Sequence, residues 1–285
     1  MKAVIVAAGY GTRFLPVSKT VPKEMFPLVN IPCIDLIINE FIESGIKDIL
    51  IITSRRKKIL EDYFDREVEL ETFFLENHSL AKLQKIKPVD ANIHFIRQKK
   101  MQGTGQALLL AKSFVGDSPF VVAYPDDIFI AETPVSQSMI DIYNKTGNCV
   151  MAMKEYDGDV SRYGVFDLTK TNDEIFIHKI IEKPEPGTQP SQFISLARYL
   201  FTPKLFTYLT EDFEQHKGGE FYHISAINRL ANEGRINGLI VNATYLDTGE
   251  PFSYLKSIFE YSLLQKDLKQ KLIPYLKKRI KDLTD

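Results

Sequence analysis

The chain has 285 residues, 44% hydrophobic and 26% charged, a balance that can build a core and stay dissolved. With 36 Lys and Arg against 37 Asp and Glu, the formal charge is -1, which argues against attachment to nucleic acid by bulk charge. Cys33 and Cys149 sit in no CxxC or Cys/His cluster, and no run approaches the ~20 apolar residues of a membrane span. The apolar run Ala3–Ala8 is too short for a signal-peptide core, so a soluble cytoplasmic protein is expected.

Ala3–Ala7 (AVIVA) predicts a buried strand, followed by a loop from Ala8 to about Val29. Ile34, Ile37, Ile38, Phe41 and Ile42 then recur at i, i+3, i+4, i+7 and i+8, an amphipathic helix that stops at Gly45. Ile49–Thr53 predicts a second strand and Lys57–Phe64 a second helix. Residues from about Val68 to Lys87 interrupt the rhythm as a helical, charged, surface-lying stretch. Further strands are expected at Ile93–Arg97 and Phe120–Tyr124, with a helix over Gly105–Phe114 between them. This alternation predicts an α/β layer with a mostly parallel sheet. After Asn148 strands dominate (CVMAM, YGVFDL, IHKIIEK, ISLARYLF), which suits a mixed sheet with an added lobe better than a second independent domain. One domain over 1–285 is expected, in three parts, 1–147, 148–250 and 251–285, the last of terminal helices. Leu268, Leu272, Leu276 and Ile280 keep an i, i+4 spacing on a Lys-rich helix, either a cap on the domain or a subunit contact.

The chemistry concentrates in a few places. Ala7-Ala8-Gly9-Tyr10-Gly11-Thr12-Arg13 follows the first strand, and Pro22-Lys23-Glu24 comes shortly after. Glycines there let backbone N–H groups approach an anion, and Arg13 and Lys23 add charge at the same edge. A dinucleotide fingerprint would need a third glycine at Phe14 and an acidic residue at Thr53-Ser54. Both are missing, which disfavours a nicotinamide-dependent oxidoreductase. No GxxxxGK[ST] occurs either. Gln98 ends a strand, and its amide, able to donate and accept, suits O4 and N3–H of uracil or thymine. Asp126 and Asp127 follow an apolar strand at the carboxyl edge where open sheets bind ligands, and Asp247 ends another apolar stretch. Carboxylates so placed suit Mg²⁺, although each Asp alone is equally a turn or cap residue. His78, His94, His178, His216 and His223 follow no ligand spacing and read as structural or surface residues.

AAGYGTRFLP followed by PKEMFPLV resembles the signature of the sugar-phosphate nucleotidyltransferases, most closely the bacterial branch acting on UTP and glucose 1-phosphate. GDSPFVVAYPDD, SRYGVFD, IIEKPEPGTQPS, RYLFTP, GGEFYHISAI and LDTGEPFSYL then fall in that family's order. The resemblance implies a Rossmann-like nucleotidyltransferase fold, with a mixed, mostly parallel sheet flanked by helices and a small added β lobe. It implies that 1–147 binds the nucleotide, with Ala8, Gly9, Gly11, Thr12, Glu24, Gln98 and Gly103, and that 148–250 binds the sugar phosphate, with Gly164, Glu182 and Lys183. Mg²⁺ would sit on Asp126 and Asp247, with Asp127 a neighbour. Lys183 would hold the nucleophile's phosphate, and Arg13 and Lys23 the leaving pyrophosphate. A sugar phosphate is already an anion near neutral pH, so positioning and charge neutralisation replace a general base. The implied partners are UTP and a sugar 1-phosphate, with no nucleic acid or membrane, in a homo-oligomer (dimer or tetramer).

The sequence departs from the pattern in four places. The family's KGLGHA stands as Gln102-Gly103-Thr104-Gly105-Gln106-Ala107, and its GGEIQLTDAI as Gly218-Gly219-Glu220-Phe221-Tyr222-His223-Ile224-Ser225-Ala226-Ile227. Its PSNLA stands as Pro190-Ser191-Gln192-Phe193-Ile194, with Ala197 for the glycine before Arg198. A lysine after the metal aspartate gives way to Glu250-Pro251-Phe252, closer to thymidylyltransferase usage. Another sugar, thymine in place of uracil, or a silent nucleotide-sugar-binding regulator therefore stay open as alternatives.

Overall fold

The computed structural model describes residues 1–172 and 174–284. Strand β1 (Lys2–Val6) runs into three short 3-10 turns and a ribbon of β2 (Pro27–Leu28) and β3 (Ile31–Pro32). Helix α1 (Cys33–Glu43) buries Ile34, Ile37, Ile38 and Phe41, the face expected from their spacing. Gly45, at φ 74°, takes the left-handed turn that ends it and releases the chain into β4 (Asp48–Thr53). Helices α2 (Lys58–Phe64), α3 (Val68–Glu76) and α4 (Leu80–Leu83) lead to β5 (Asn92–Arg97); α3 and α4 bury no residue.

The single helix expected over Gly105–Phe114 is instead two, α5 (Thr104–Leu109) and α6 (Lys112–Val115). Three-residue bonds from Leu110 N to Ala107 O and Ala111 N to Leu108 O tighten the chain between them. Next come β6 (Phe120–Ala123), β7 (Asp127–Ile130), α7 (Val135–Thr146), β8 (Cys149–Glu155) and the hairpin of β9 (Gly164–Lys170) and β10 (Ile175–Glu182). The chain closes with β11 (Phe193–Phe201), α8 (Lys204–Glu214), α9 (Ile224–Asn232), β12 (Ile236–Ile240), β13 (Thr244–Asp247), α10 (Pro251–Leu264) and α11 (Lys266–Thr284).

Nine strands form one sheet in the order β5-β4-β1-β6-β11-β8-β12-β10-β9. From β5 to β6 every pairing is parallel; beyond β6 the pairings are antiparallel except β8 with β12. The added β structure takes two forms, the β9–β10 hairpin on the far edge and a separate β7–β13 ribbon. Both faces of the sheet are covered. Val4, Leu50, Ile52 and Val122 pack with Leu108, Leu205 and Ile227, while Ala3, Ile5, Ile49 and Ile51 pack with α1 and Met139. That double burial explains why β1 and β4 read as unbroken apolar runs rather than alternating ones.

The order also fixes where a ligand fits. The chain leaves β1 toward β4 on one side, whereas β6 lies on the other. The loops after β1 and β6 therefore part at the carboxyl edge and leave a crevice there.

Candidate active site

The loop after β1 is held open from below. Gly11 adopts φ 66°, and its carbonyl accepts a 2.7 Å bond from Ser18 Oγ. Phe14 turns inward against Phe26, ring centroids 5.0 Å apart, and so anchors the turn Thr12–Phe14. Gly9 has open space where a Cβ would point, and Ala8 is buried beneath it. Arg13 reaches across to the Gly249 carbonyl at 3.3 Å.

Lys23 and Asp126 meet directly, Nζ to Oδ2 at 2.6 Å. Burial opposes the Lys23 charge, but Asp126 and Glu24 outweigh it and hold the ammonium above its usual range. Burial likewise pushes the Asp126 carboxyl up, and the attraction and hydrogen bond of Lys23, with Arg13, bring it below the usual carboxylate range. Asp247 arrives on β13, opposite Asp127 on β7, and its Oδ1 accepts from Gly249 N at 2.8 Å. A Cβ placed on Gly249 would lie 3.1 Å from both Asp126 Oδ2 and Asp247 Oδ1. Asp126, in the turn before β7, and Asp247, at the end of β13, thus converge on space that only a glycine leaves free.

Asp127 is the buried neighbour. Burial, then the charge of Asp126, pushes its carboxyl up to about 7, while Tyr245 donates its hydroxyl to it. Below it, Arg198 is fully buried, paired to Glu40 at 2.8 Å and lying over the rings of Phe41 and Phe129. Glu40 also accepts from the backbone N–H of Ser136 at 3.1 Å, tying α1 to the start of α7.

Gln98 is buried at the end of β5, and its amide nitrogen donates to Gly103 O at 3.2 Å and Gln106 Oε1 at 2.7 Å. Both amide hydrogens are thus engaged within the protein, which leaves the Gln98 oxygen as the acceptor. Gly103, at φ 92°, is irreplaceable in that turn, because a Cβ would lie 2.4 Å from the Phe221 carbonyl.

Gly164 and Glu182 are cross-strand partners on the β9–β10 hairpin. A Cβ on Gly164 would come 3.1 Å from Glu182 Oε2, so the glycine leaves room for that carboxylate. Burial pushes the Glu182 carboxyl up, against the pull of neighbouring Lys183. Lys183 sits at φ 47° with its N–H bonded to Tyr163 O at 2.9 Å, and its exposed side chain forms no ion pair among the described residues.

Glu24 departs from its expected place at the nucleotide. Its side chain is 1% exposed and pairs at 2.6 Å with Lys57, whose Nζ also bonds Ala7 O at 2.6 Å. Lys57, unnoticed in the sequence, thereby clamps the end of β1 to the Lys23 turn. Glu250, in the stretch where the family's lysine is missing, caps α10 by accepting from Ser253 N at 2.7 Å ahead of Pro251. A cavity of about 580 Å³ lined by Phe64, Ile93, Phe95 and Arg97 lies at the outer edge strand and contains none of the residues above.

A crevice at a sheet's switch point, lined by a glycine loop, two cations and paired carboxylates, is built for a phosphorylated nucleotide. Residues 2–262 match the family described as Nucleotidyl transferase, and the chain belongs to that family. It is 39% identical to the UTP–glucose-1-phosphate uridylyltransferase of Bacillus subtilis (strain 168), over 96% of this chain and 95% of that one. Against uridylyltransferase 2 of Staphylococcus saprophyticus the identity is 37%, over 97% of each. Among solved structures, a UTP-bound UGPase from Acinetobacter baumannii superposes with TM-score 0.87 at 31% identity, covering 96% of this chain and 98% of that one. A UDP-glucose pyrophosphorylase complexed with UDP-glucose gives 0.80 at 32% identity, covering 93% and 99%.

Proposed function

We propose that the chain transfers a uridylyl group from UTP to glucose 1-phosphate, giving UDP-glucose and pyrophosphate, with Mg²⁺ as cofactor. The observation that carries this reading is the meeting of Lys23, Asp126 and Asp247 at Gly249, beside the anion-ready loop after β1. The kinship with UTP–glucose-1-phosphate uridylyltransferases supports the choice of substrates.

Asp126 and Asp247 would hold the metal. Their oxygens suit a hard divalent ion, and Asp126 Oδ2 and Asp247 Oδ1 both lie 3.1 Å from where a Cβ on Gly249 would stand. Bound there, the ion supplies positive charge at the triphosphate. The protein's own part is to place two polyanions together. The loop Gly9–Thr12 presents backbone N–H groups to the triphosphate, and Arg13 and Lys23 offset charge on the departing pyrophosphate. Lys183 holds the sugar phosphate, whose anionic oxygen attacks the α-phosphorus without a general base, while Glu182 accepts from sugar hydroxyls. The Gln98 acceptor oxygen takes the N3–H of uracil. Consumption of a nucleoside triphosphate fits the cytoplasm. Exposed Phe252, Leu255 and Phe259 on α10 support a homo-oligomer.

Pyrophosphate release with glucose 1-phosphate and UTP, dTTP, CTP, ATP or GTP tests the reading. UTP is expected to be used best and dTTP tolerably, since one methyl is worth only ~1–3 kcal/mol. CTP presents a lone pair at N3 to the Gln98 oxygen and should be refused along with the purines. Comparable use of CTP or ATP would contradict the base assignment.

A further inference from the structure

Between the base-side turn and the sugar-side hairpin lies a polar cluster that the proposed transfer does not use. His223 is 6% exposed and its Nδ1 lies 2.7 Å from Thr104 Oγ1, yet its Nε2 is buried with no partner among the described residues. Tyr124, two positions before Asp126, stacks on the His223 ring with centroids 6.1 Å apart. Its hydroxyl is also buried and, although the Thr104 hydroxyl is near, makes no hydrogen bond of good geometry. Tyr199 closes the third side, 6.3 Å from Tyr124 and 5.9 Å from His223, its own hydroxyl bonded to Ser195. After burial, the charge of the Glu182 carboxylate adds to the forces that keep both the Tyr124 and Tyr199 hydroxyls protonated. A buried polar atom without a partner costs about 1–3 kcal/mol, so two such atoms on stacked rings call for a ligand.

We infer that the Tyr124 hydroxyl and His223 Nε2 together bind one hydroxyl of the hexosyl ring and so set which sugar 1-phosphate is accepted. The inference rests on the proposed transferase reading and deepens it. Charge selects the ligand class. Burial pushes the His223 imidazole down to about 4, so near neutral pH it is uncharged. A neutral imidazole and a phenol among aromatic rings suit a sugar hydroxyl, which both donates and accepts. A phosphate would require the cations that stand elsewhere, on Arg13, Lys23 and Lys183. Thr104 occupies Nδ1 and so turns the other ring nitrogen to the ligand. Thr104 and His223 both stand where the family pattern has leucine, so this pair belongs to the chain rather than to the pattern. His223, which read as structural in the sequence, gains a specificity role.

The test compares kcat/KM for glucose 1-phosphate, its 2-, 3-, 4- and 6-deoxy forms and galactose 1-phosphate in wild type, Tyr124→Phe and His223→Leu. Wild type should lose about tenfold or more with one deoxy sugar, because the buried pair is left unmatched. Each variant should fall to that level with glucose 1-phosphate, lose nothing further with the same deoxy sugar, and keep the KM for UTP. Equal losses across all sugars would make the cluster a packing element, and no loss would make its ligand a bound water only; either result overturns the inference. Tyr124→Phe removes one oxygen and keeps the ring, so it reports even where His223→Leu fails to fold. Its unfolding temperature without ligand should equal or exceed that of wild type, because the unpartnered hydroxyl is gone. Wild type inactive with every hexose 1-phosphate would overturn the transferase reading itself, whereas activity with flat variant profiles overturns only the sugar-selecting pair.

Discussion

Lys183 shows what a single residue contributes when its place is fixed by backbone alone. It stands at φ 47° just past the last residue of β10, beside the Glu182 carboxylate. A charge-assisted hydrogen bond to a phosphate is worth about 1.5–3 kcal/mol, so Lys183→Ala should raise the apparent KM for glucose 1-phosphate roughly 10- to 150-fold. The KM for UTP should barely move; a parallel rise in both would make Lys183 structural. His223 gives the pH dependence at this scale. Its ordinary value of 6.5 falls to about 4 in the fold, so between those values the unfolded chain binds a proton that the folded chain refuses. Stability from this group is therefore full above pH 6.5 and lost as the pH drops toward 4, by up to ~3 kcal/mol. Urea unfolding of wild type and His223→Leu across pH 4 to 7 should show the wild-type loss flattened in the variant. Parallel pH profiles would contradict a buried neutral imidazole.

Among the elements, the helices and strands that obey a local period were legible in the residues alone. Ile34 to Ile42 marked α1, and the unbroken apolar runs marked β1, β4 and β6. The split between α5 and α6 was not, because the three-residue bonds that cause it leave no mark on hydrophobic spacing. Contacts between distant elements were equally hidden. Arg198 on β11 pairs with Glu40 on α1, 158 positions away, and Lys57 meets Glu24 across 33. The residue types at Asp126 and Asp247 suggested a cation site, but their approach depends on β13 pairing with β7. The hold of Gly103 and Gln106 on the Gln98 amide hydrogens was equally hidden, since no residue pattern marks it. The Arg198–Glu40 pair is where an element-scale prediction is sharpest. Arg198→Ala leaves a buried, uncompensated carboxylate at the joint of α1, α7 and β7 and should cost about 3–5 kcal/mol in urea unfolding. A loss under about 1 kcal/mol would show that the joint tolerates the lone carboxylate.

At the scale of the whole molecule, one sheet joins the two recognition jobs proposed above. Its parallel strands end at the loop after β1, Gln98 and Asp126, proposed for the nucleotide, and its antiparallel strands carry Glu182 and Lys183, proposed for the sugar phosphate. The measurement that tests this most directly follows the α-phosphate of UTP. With UTP labelled at that phosphorus, glucose 1-phosphate and Mg²⁺, the label should move into UDP-glucose while unlabelled pyrophosphate appears in equal amount. Label recovered as UMP, or retained in UTP under conditions that leave the protein folded, would contradict the transferase account.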